Sequence, residues 1–296
     1  MIDFISPYFS LTELVLINAC LAYSQYLVMR AGVFSLAAAG LASLGAYTAA
    51  LLAMKAGVPG ELALLAAGCI GLLAGGLLSI PLAQLRGVFQ AIATLAFVQI
   101  VLSLVLYAEP LTGGAMGLNN VPHLAGIGTI AFVTSFVVFI AYALSRTGIG
   151  MAFDTIRQDE TVALSLGMSV AYYQRLAFLL SGFVAGLAGG LMALRNYSLV
   201  PEDFGFPLLV SVLTFVVLGG RNSILGPLAG ALVLTLLPEI ARPLAEYRKF
   251  VYGFLMILVI VYWPHGILDT LLLNWRHRRA QRLAAATPDT RQGESV

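Results

Sequence analysis

Long apolar runs alternate with short polar connectors along nearly the whole chain. They fall near residues 11–29, 31–54, 61–80, 87–108, 128–145, 176–194, 208–219, 224–238 and 250–268. Most approach the roughly 20 residues that carry a helix across the hydrocarbon core of a bilayer. The pattern therefore predicts an all-α, polytopic transmembrane helix bundle of about 8–10 membrane segments, short or broken helices included. Two segments are too short to be ordinary spans. The runs 208–219 and 224–238 are separated by Gly219-Gly220-Arg221-Asn222-Ser223, which suits either two short crossings shielded by protein or a re-entrant hairpin, because lipid does not tolerate irregular backbone.

One long stretch breaks the apolar rhythm, Arg146 to Gln174. Nothing from Met151 to Leu166 interrupts a helix, Gly167 stands where helices end in the left-handed conformation, and Gly148 and Gly150 leave the entry loose. Asp154, Arg157, Asp159 and Glu160 fall within two turns, while Phe153, Ile156, Ala163 and Leu164 recur beside them at helical spacing. Such a helix cannot span a membrane. One that lay on the lipid surface would carry an excess of Lys and Arg, whereas here acids outnumber bases, so a groove in a soluble partner is the preferred reading over a merely solvated loop helix.

Composition confirms the class. At 60% hydrophobic and 10% charged residues, the 296-residue chain is far from the charged fraction of about 25% usual for a soluble domain. A net charge of +2 does not point to nucleic acid. The bases sort by side instead. With the 146–175 loop in the cytoplasm, Arg30, Arg86, Arg146, Arg157, Arg175 and the tail residues Arg276, Arg278, Arg279, Arg282 and Arg291 lie inside, and Arg221 joins them. Lys55, Arg195, Arg242, Arg248 and Lys249 lie outside among acids. The positive-inside rule then places the N-terminus outside and the C-terminus in the cytoplasm. Tyr107 and Tyr197 near outer ends, and Trp263 and Trp275 near the inner end of the last segment, fit this frame. MIDFISPYFSL lacks the features of a cleaved signal, so the first segment is expected to stay. Residues 1–273 are read as one transmembrane domain and 274–296 as a basic, disordered cytoplasmic tail.

Chemistry is sparse. His123, His265 and His277 lie in three different connecting or terminal regions, Cys20 and Cys69 sit far apart in apolar runs, and no GxxxxGK[ST] occurs. No catalytic residue, cofactor or metal site is expected. The interiors of the apolar segments carry essentially no ionisable group, which argues against a proton relay, although a sodium-coupled carrier could work through backbone carbonyls. Small residues spaced by four, Gly182, Gly186 and Gly190, Gly71 and Gly75, and Gly226 and Gly230, mark faces for close helix packing. The polar groups left to line a path are Ser35, Ser43, Thr94, Ser211 and Thr214, together with the outer loop from Thr112 to Pro122. In that loop Gly113, Gly114, Gly117, Asn119 and Asn120 are expected to free backbone groups for a polar solute. These parts describe a passage without a motor and with an inward docking helix. A stand-alone sodium-coupled carrier or channel is the alternative.

Several ordered blocks then resemble the LivM-type permeases of branched-chain amino acid ABC transporters: SLAAAGLASLGAY (35–47), RGVFQAIATLAF (86–97), TGGAMGL (112–118), TGIGMAFDTIRQDETVALSLGM (147–168), RLAFLLSGFVAGLAGGL (175–191) and LGGRNSILGPLAGA (218–231). Ala37 and Arg221-Asn222-Ser223 depart from the glycines common in that family. The resemblance implies a bacterial inner-membrane permease paired with a second, related permease, two cytoplasmic ATP-hydrolysing subunits and a periplasmic solute-binding protein. It implies branched-chain or other hydrophobic amino acids as solutes, with urea, short amides or small carboxylates as alternatives. The 151–166 helix then corresponds to a coupling helix, with Phe153, Asp154, Arg157, Gln158, Asp159 and Glu160 expected to contact the ATPase and Ser35, Thr94, Thr112, Gly113, Gly114, Asn119 and Asn120 to line the solute pathway.

Overall fold

The computed structural model describes residues 6–240 together with Gly253 and Gly266. The apolar segment read at 250–268, apart from those two glycines, and the basic tail at 274–296 lie outside the described residues, as do Arg242, Arg248, Lys249, His265, His277, Trp263 and Trp275. Within it the chain is a multi-pass helical protein. Seven helical stretches are long and apolar enough to cross a membrane, and an eighth, Gly226–Leu237, is shorter.

The elements run α1 (Ser6–Arg30), α2 (Ala38–Lys55), α3 (Gly60–Leu82), α4 (Val88–Tyr107), a short α5 (Glu109–Thr112), β1 (Leu118–Asn119), α6 (Ile127–Ser145), α7 (Gly148–Gln158), α8 (Glu160–Ser165), α9 (Val170–Arg195), β2 (Ser198–Leu199), α10 (Phe206–Gly219) and α11 (Gly226–Ile240), with 3₁₀ turns at Gly114–Met116 and Pro201–Phe204. The 208–219 run gains length from the preceding turn, so that Pro201–Gly219 reaches 19 residues.

Most of the centre belongs to α9, the most buried of the spanning helices, which packs on α1, α2 and α3. Its glycines explain why. A Cβ at Gly182 would strike the Gly71 carbonyl, one at Gly186 the Ala67 carbonyl and one at Gly189 the Ala42 carbonyl; in return Gly45 faces the backbone of Gly186. Backbones this close maximise dispersion contact where lipid offers no hydrophobic driving force. The same device joins α10 to α11, where Gly219 meets Gly226 and Gly230 meets Phe215. The sequence stripes are therefore packing faces.

Two expectations are corrected. The 31–54 run is not helical throughout, because α2 starts only at Ala38. Residues 31–37 form a bend that Gly32 enters at φ +79°, pressed so near α7 that a Cβ there would lie 3.2 Å from the Cα of Arg157. The bend is fastened by the Gln25 amide donating to the Ser35 carbonyl at 2.6 Å and by the Leu36 N–H donating to the Thr94 hydroxyl at 2.9 Å. The loop from Thr112 to Pro122 is also more ordered than its glycines imply. β1 pairs antiparallel with β2, Leu118 opposite Leu199 and Asn119 opposite Ser198, and this small ribbon ties the 108–126 connection to the C-terminal end of α9.

Candidate functional site

The polar 146–175 loop lies at the same end of the spanning helices as Arg30 and Arg86. Its expected single helix over 151–166 is two. α7 begins earlier, at Gly148, and stops at Gln158; Asp159 is extended at φ −157°, ψ 113° and starts α8. The reason is local. The Asp159 carboxylate accepts from the Thr161 N–H at 2.8 Å and the Val162 N–H at 3.2 Å, and also from the Thr161 hydroxyl. An N-cap satisfies donors at the start of a new helix that would otherwise lack partners. Those bonds, led by the one from the Thr161 side chain, hold the Asp159 carboxyl below the usual carboxylate range. Gly167 is left-handed at φ +79°, as expected. Gly150 does not loosen the entry. It sits inside α7, where a Cβ would strike the Leu144 carbonyl of α6.

Charge fixes this element to the membrane domain. Arg30 closes α1 and grips Asp154 through two bonds, Nε to Oδ1 at 3.0 Å and Nη2 to Oδ2 at 2.7 Å, with the Arg30 side chain only 8% exposed. A fork of this kind holds position as well as distance. Arg157 reaches the same carboxylate at 3.8 Å and donates to the Arg221 carbonyl at 3.2 Å, so the α10–α11 turn is attached too. Glu160 pairs with Arg86 at 3.1 Å. The bases read from sequence as lying on one side, Arg30, Arg86, Arg157 and Arg221, thus meet at one end of the bundle. Arg195, Glu13 and Ser10 meet at the other, with Arg195 Nε 3.0 Å from the Glu13 carboxylate.

The six residues expected to dock on a partner divide sharply. Phe153 is wholly buried, edge-on to Tyr173 with ring centres 6.3 Å apart, so it seats α7 on α9. Asp154, Arg157 and Glu160 brace the loop through the pairs above. Gln158 and Asp159 are exposed. Beside them the structure exposes Met151, Val162 and Leu166, which the sequence pattern did not single out, and Leu164, which the pattern placed on the same stripe as Phe153, Ile156 and Ala163. They are the positions left once the buried stripe Phe153, Ile156 and Ala163 is subtracted from the helical pattern. These apolar residues share the exposed face with Gln158, Asp159, Thr161 and Ser165, on an element tied to α1 and to the α10–α11 turn.

The seven residues expected to line the path fall in two groups. Ser35 and Thr94 are brought together by the 31–37 bend, both almost fully buried, and Thr94 also donates to the carbonyl of Gln90 or Ala91 at 2.9 Å. Thr112 is buried at the opposite end, donating to the Val105 carbonyl at 2.6 Å. Gly113 and Gly114 turn the chain at φ +74° and +57°, and Asn119 and Asn120 are exposed on the ribbon. The loop glycines serve their own turn: Gly113 abuts the Gly117 carbonyl and Gly117 the Leu199 carbonyl. Ser43 and Tyr47, one turn apart on α2, carry buried hydroxyls without a hydrogen-bond partner among the described residues. Among those residues no group of His, Cys, Asp and Glu is placed to hold a metal ion.

A family model described as the branched-chain amino acid transport system / permease component matches residues 8–260. The high-affinity branched-chain amino acid transport system permease protein LivM of Salmonella typhimurium is 33% identical over 271 residues, covering 80% of this chain and 64% of that protein. The autoinducer 2 import system permease protein LsrC of Escherichia coli O157:H7 is 27% identical over 186 residues, 60% of this chain and 54% of that protein. A probable branched-chain amino acid transport permease protein LivM of Methanocaldococcus jannaschii is 23% identical over 237 residues, 70% of this chain and 67% of that protein. The match thus spans a little under two thirds of the length of the Salmonella relative. No solved structure matches the chain.

Proposed function

Because the chain belongs to the family of branched-chain amino acid transport system permease components, we propose that it is the membrane-spanning subunit of an ABC importer for branched-chain or other hydrophobic amino acids. It has no ATP-hydrolysing site of its own. It works beside a second, related permease, with two cytoplasmic ATPase subunits on the α7–α8 face and a periplasmic binding protein on the ribbon side, in a bacterial inner membrane. The relative named for autoinducer 2 import supports a solute outside the amino acids as the alternative.

The observation that carries this reading is the clamp of α7 to α1 through Arg30 and Asp154. A docking element must be rigidly tied to the helices it drives, since a coupling free energy passes only through parts that have discrete arrangements. ATP binding draws the ATPases together, α7–α8 moves with them, and α1 and the α10–α11 turn rock, so that the path opens to alternate sides. The path side chains are neutral hydroxyls, which bind a zwitterion weakly enough to let it leave.

The test is cross-linking combined with transport. Single cysteines at Gln158 and Leu164 should join the ATPase subunit in the assembled transporter and respond to ATP, while cysteines at Asn119 and Asn120 should not. Labelling of Gln158 from the external side, or solute accumulation by this chain reconstituted alone, would overturn the proposal. Titrating the partner binding protein with a solute panel decides the substrate.

A further inference from the structure

Three spanning helices leave a cleft between them at the outer end of the bundle. α3 leans on α9 and α6 mainly on α1, and the gap between α3 and α6 is a groove of about 560 Å³. Leu65, Phe132, Phe136 and Phe183 line it, and Glu61 and Thr129 stand at its mouth. Its floor depends on a missing side chain. A Cβ at Gly68 would lie 2.8 Å from the Phe183 ring, so the glycine leaves room for that ring against α3. Leu65 and Phe132 are 55% and 73% exposed, which makes the groove open sideways, into the membrane.

We propose that this groove binds one phospholipid of the outer leaflet, its acyl chain laid along the aromatic wall and its protonated amine head group held by Glu61. Depth decides for a lipid. From Gly128 to Phe136 the α6 wall descends eight residues, about 12 Å at 1.5 Å per residue, close to half of the roughly 30 Å hydrocarbon core. A helix of a second permease would require a groove running the full thickness, whereas this lining stops at Phe136 and Phe183. Charge decides the head group. Glu61 is the second residue of α3, at head-group depth, where a carboxylate attracts an ammonium that can donate hydrogen bonds and repels an anionic head. Thr129 supplies a neutral hydroxyl beside it. The ligand class is therefore phosphatidylethanolamine, in preference to phosphatidylglycerol or phosphatidylcholine.

Native mass spectrometry of the purified full-length chain, given equal amounts of phosphatidylethanolamine and phosphatidylglycerol, tests this directly and does not depend on transport. One phosphatidylethanolamine should remain bound with a preference of roughly tenfold, the discrimination that one charge-assisted hydrogen bond provides at about 1.4 kcal/mol. Glu61→Gln should keep a lipid but bring the preference toward one. Leu65→Trp and Gly128→Trp, which fill an already open groove, should lose the tightly held lipid while eluting as the wild type does. Retention by the wild type no greater than by the tryptophan variants would overturn the proposal. So would an unchanged head-group preference in Glu61→Gln, or cross-linking of a cysteine at position 65 to a second permease in the assembled transporter.

Discussion

Replacing Asp154 by alanine removes the acceptor for two Arg30 nitrogens at 3.0 and 2.7 Å and strands the charge of a side chain that is only 8% exposed at the end of α1. The third nitrogen, Nη1, is buried and already lacks a partner among the described residues, so among those residues the guanidinium would keep the neutral Tyr26 side chain beside it but no carboxylate. Removing one partner of a buried ion pair costs about 3–5 kcal/mol. The Asp154 side chain is itself 35% exposed, and water can enter where it stood, which lowers the expected loss to about 2–3 kcal/mol. For a chain of this size that is roughly 3–5 °C in melting temperature, measurable by thermal unfolding of detergent-purified protein. Arg30→Met combined with Asp154→Leu replaces both partners by apolar groups and should recover most of the loss, because no charge remains to be desolvated. A melting temperature unchanged in Asp154→Ala, or a double variant as unstable as the single one, would refute the claim that the pair is a buried clamp.

Other perturbations separate packing, capping and coupling. Gly186→Ala and Gly71→Ala each force a methyl group onto a carbonyl of the facing helix and should destabilise the fold by about 1–3 kcal/mol, read as reduced monodisperse yield and a lowered melting temperature. Thr94→Val leaves the half-buried Leu36 N–H without its acceptor, at a cost of about 1 kcal/mol, and should loosen the 31–37 bend in hydrogen exchange. Asp159 has a lowered folded-state pKa, so its capping contribution is present above the ordinary carboxylate pKa and disappears as pH falls through the lowered value. Hydrogen exchange over 160–165 should accelerate in acid in the wild type, while Asp159→Asn, which still accepts, should remove that pH dependence. Substituting Arg157 and Asp159 together should abolish transport while membrane insertion persists; transport at the wild-type rate would count against a coupling role.

Hydropathy alone determined that this is a helical membrane protein and where most of its spans lie, since about 20 apolar residues in lipid have no stable choice but a helix that satisfies its own backbone. The glycine stripes were legible for the same reason: a missing side chain at fourfold spacing has one use, and Gly71, Gly182 and Gly186 are put to it. The break at Asp159 was less visible, because a carboxylate before Glu-Thr-Val can sit in a helix or cap one, and only the competition for the Thr161 and Val162 donors decides. The partners of Asp154 and Glu160 could not be read at all. Arg30 and Arg86 lie 124 and 74 positions away, and they become neighbours only because α1 and the α3–α4 turn end at the same membrane face. For the same reason Phe153, an anchor for docking when read along the chain, becomes a core residue once α9 supplies Tyr173 beside it. Local patterns carry the energy of insertion into lipid, whereas which face of a helix remains free depends on what the rest of the chain has already covered.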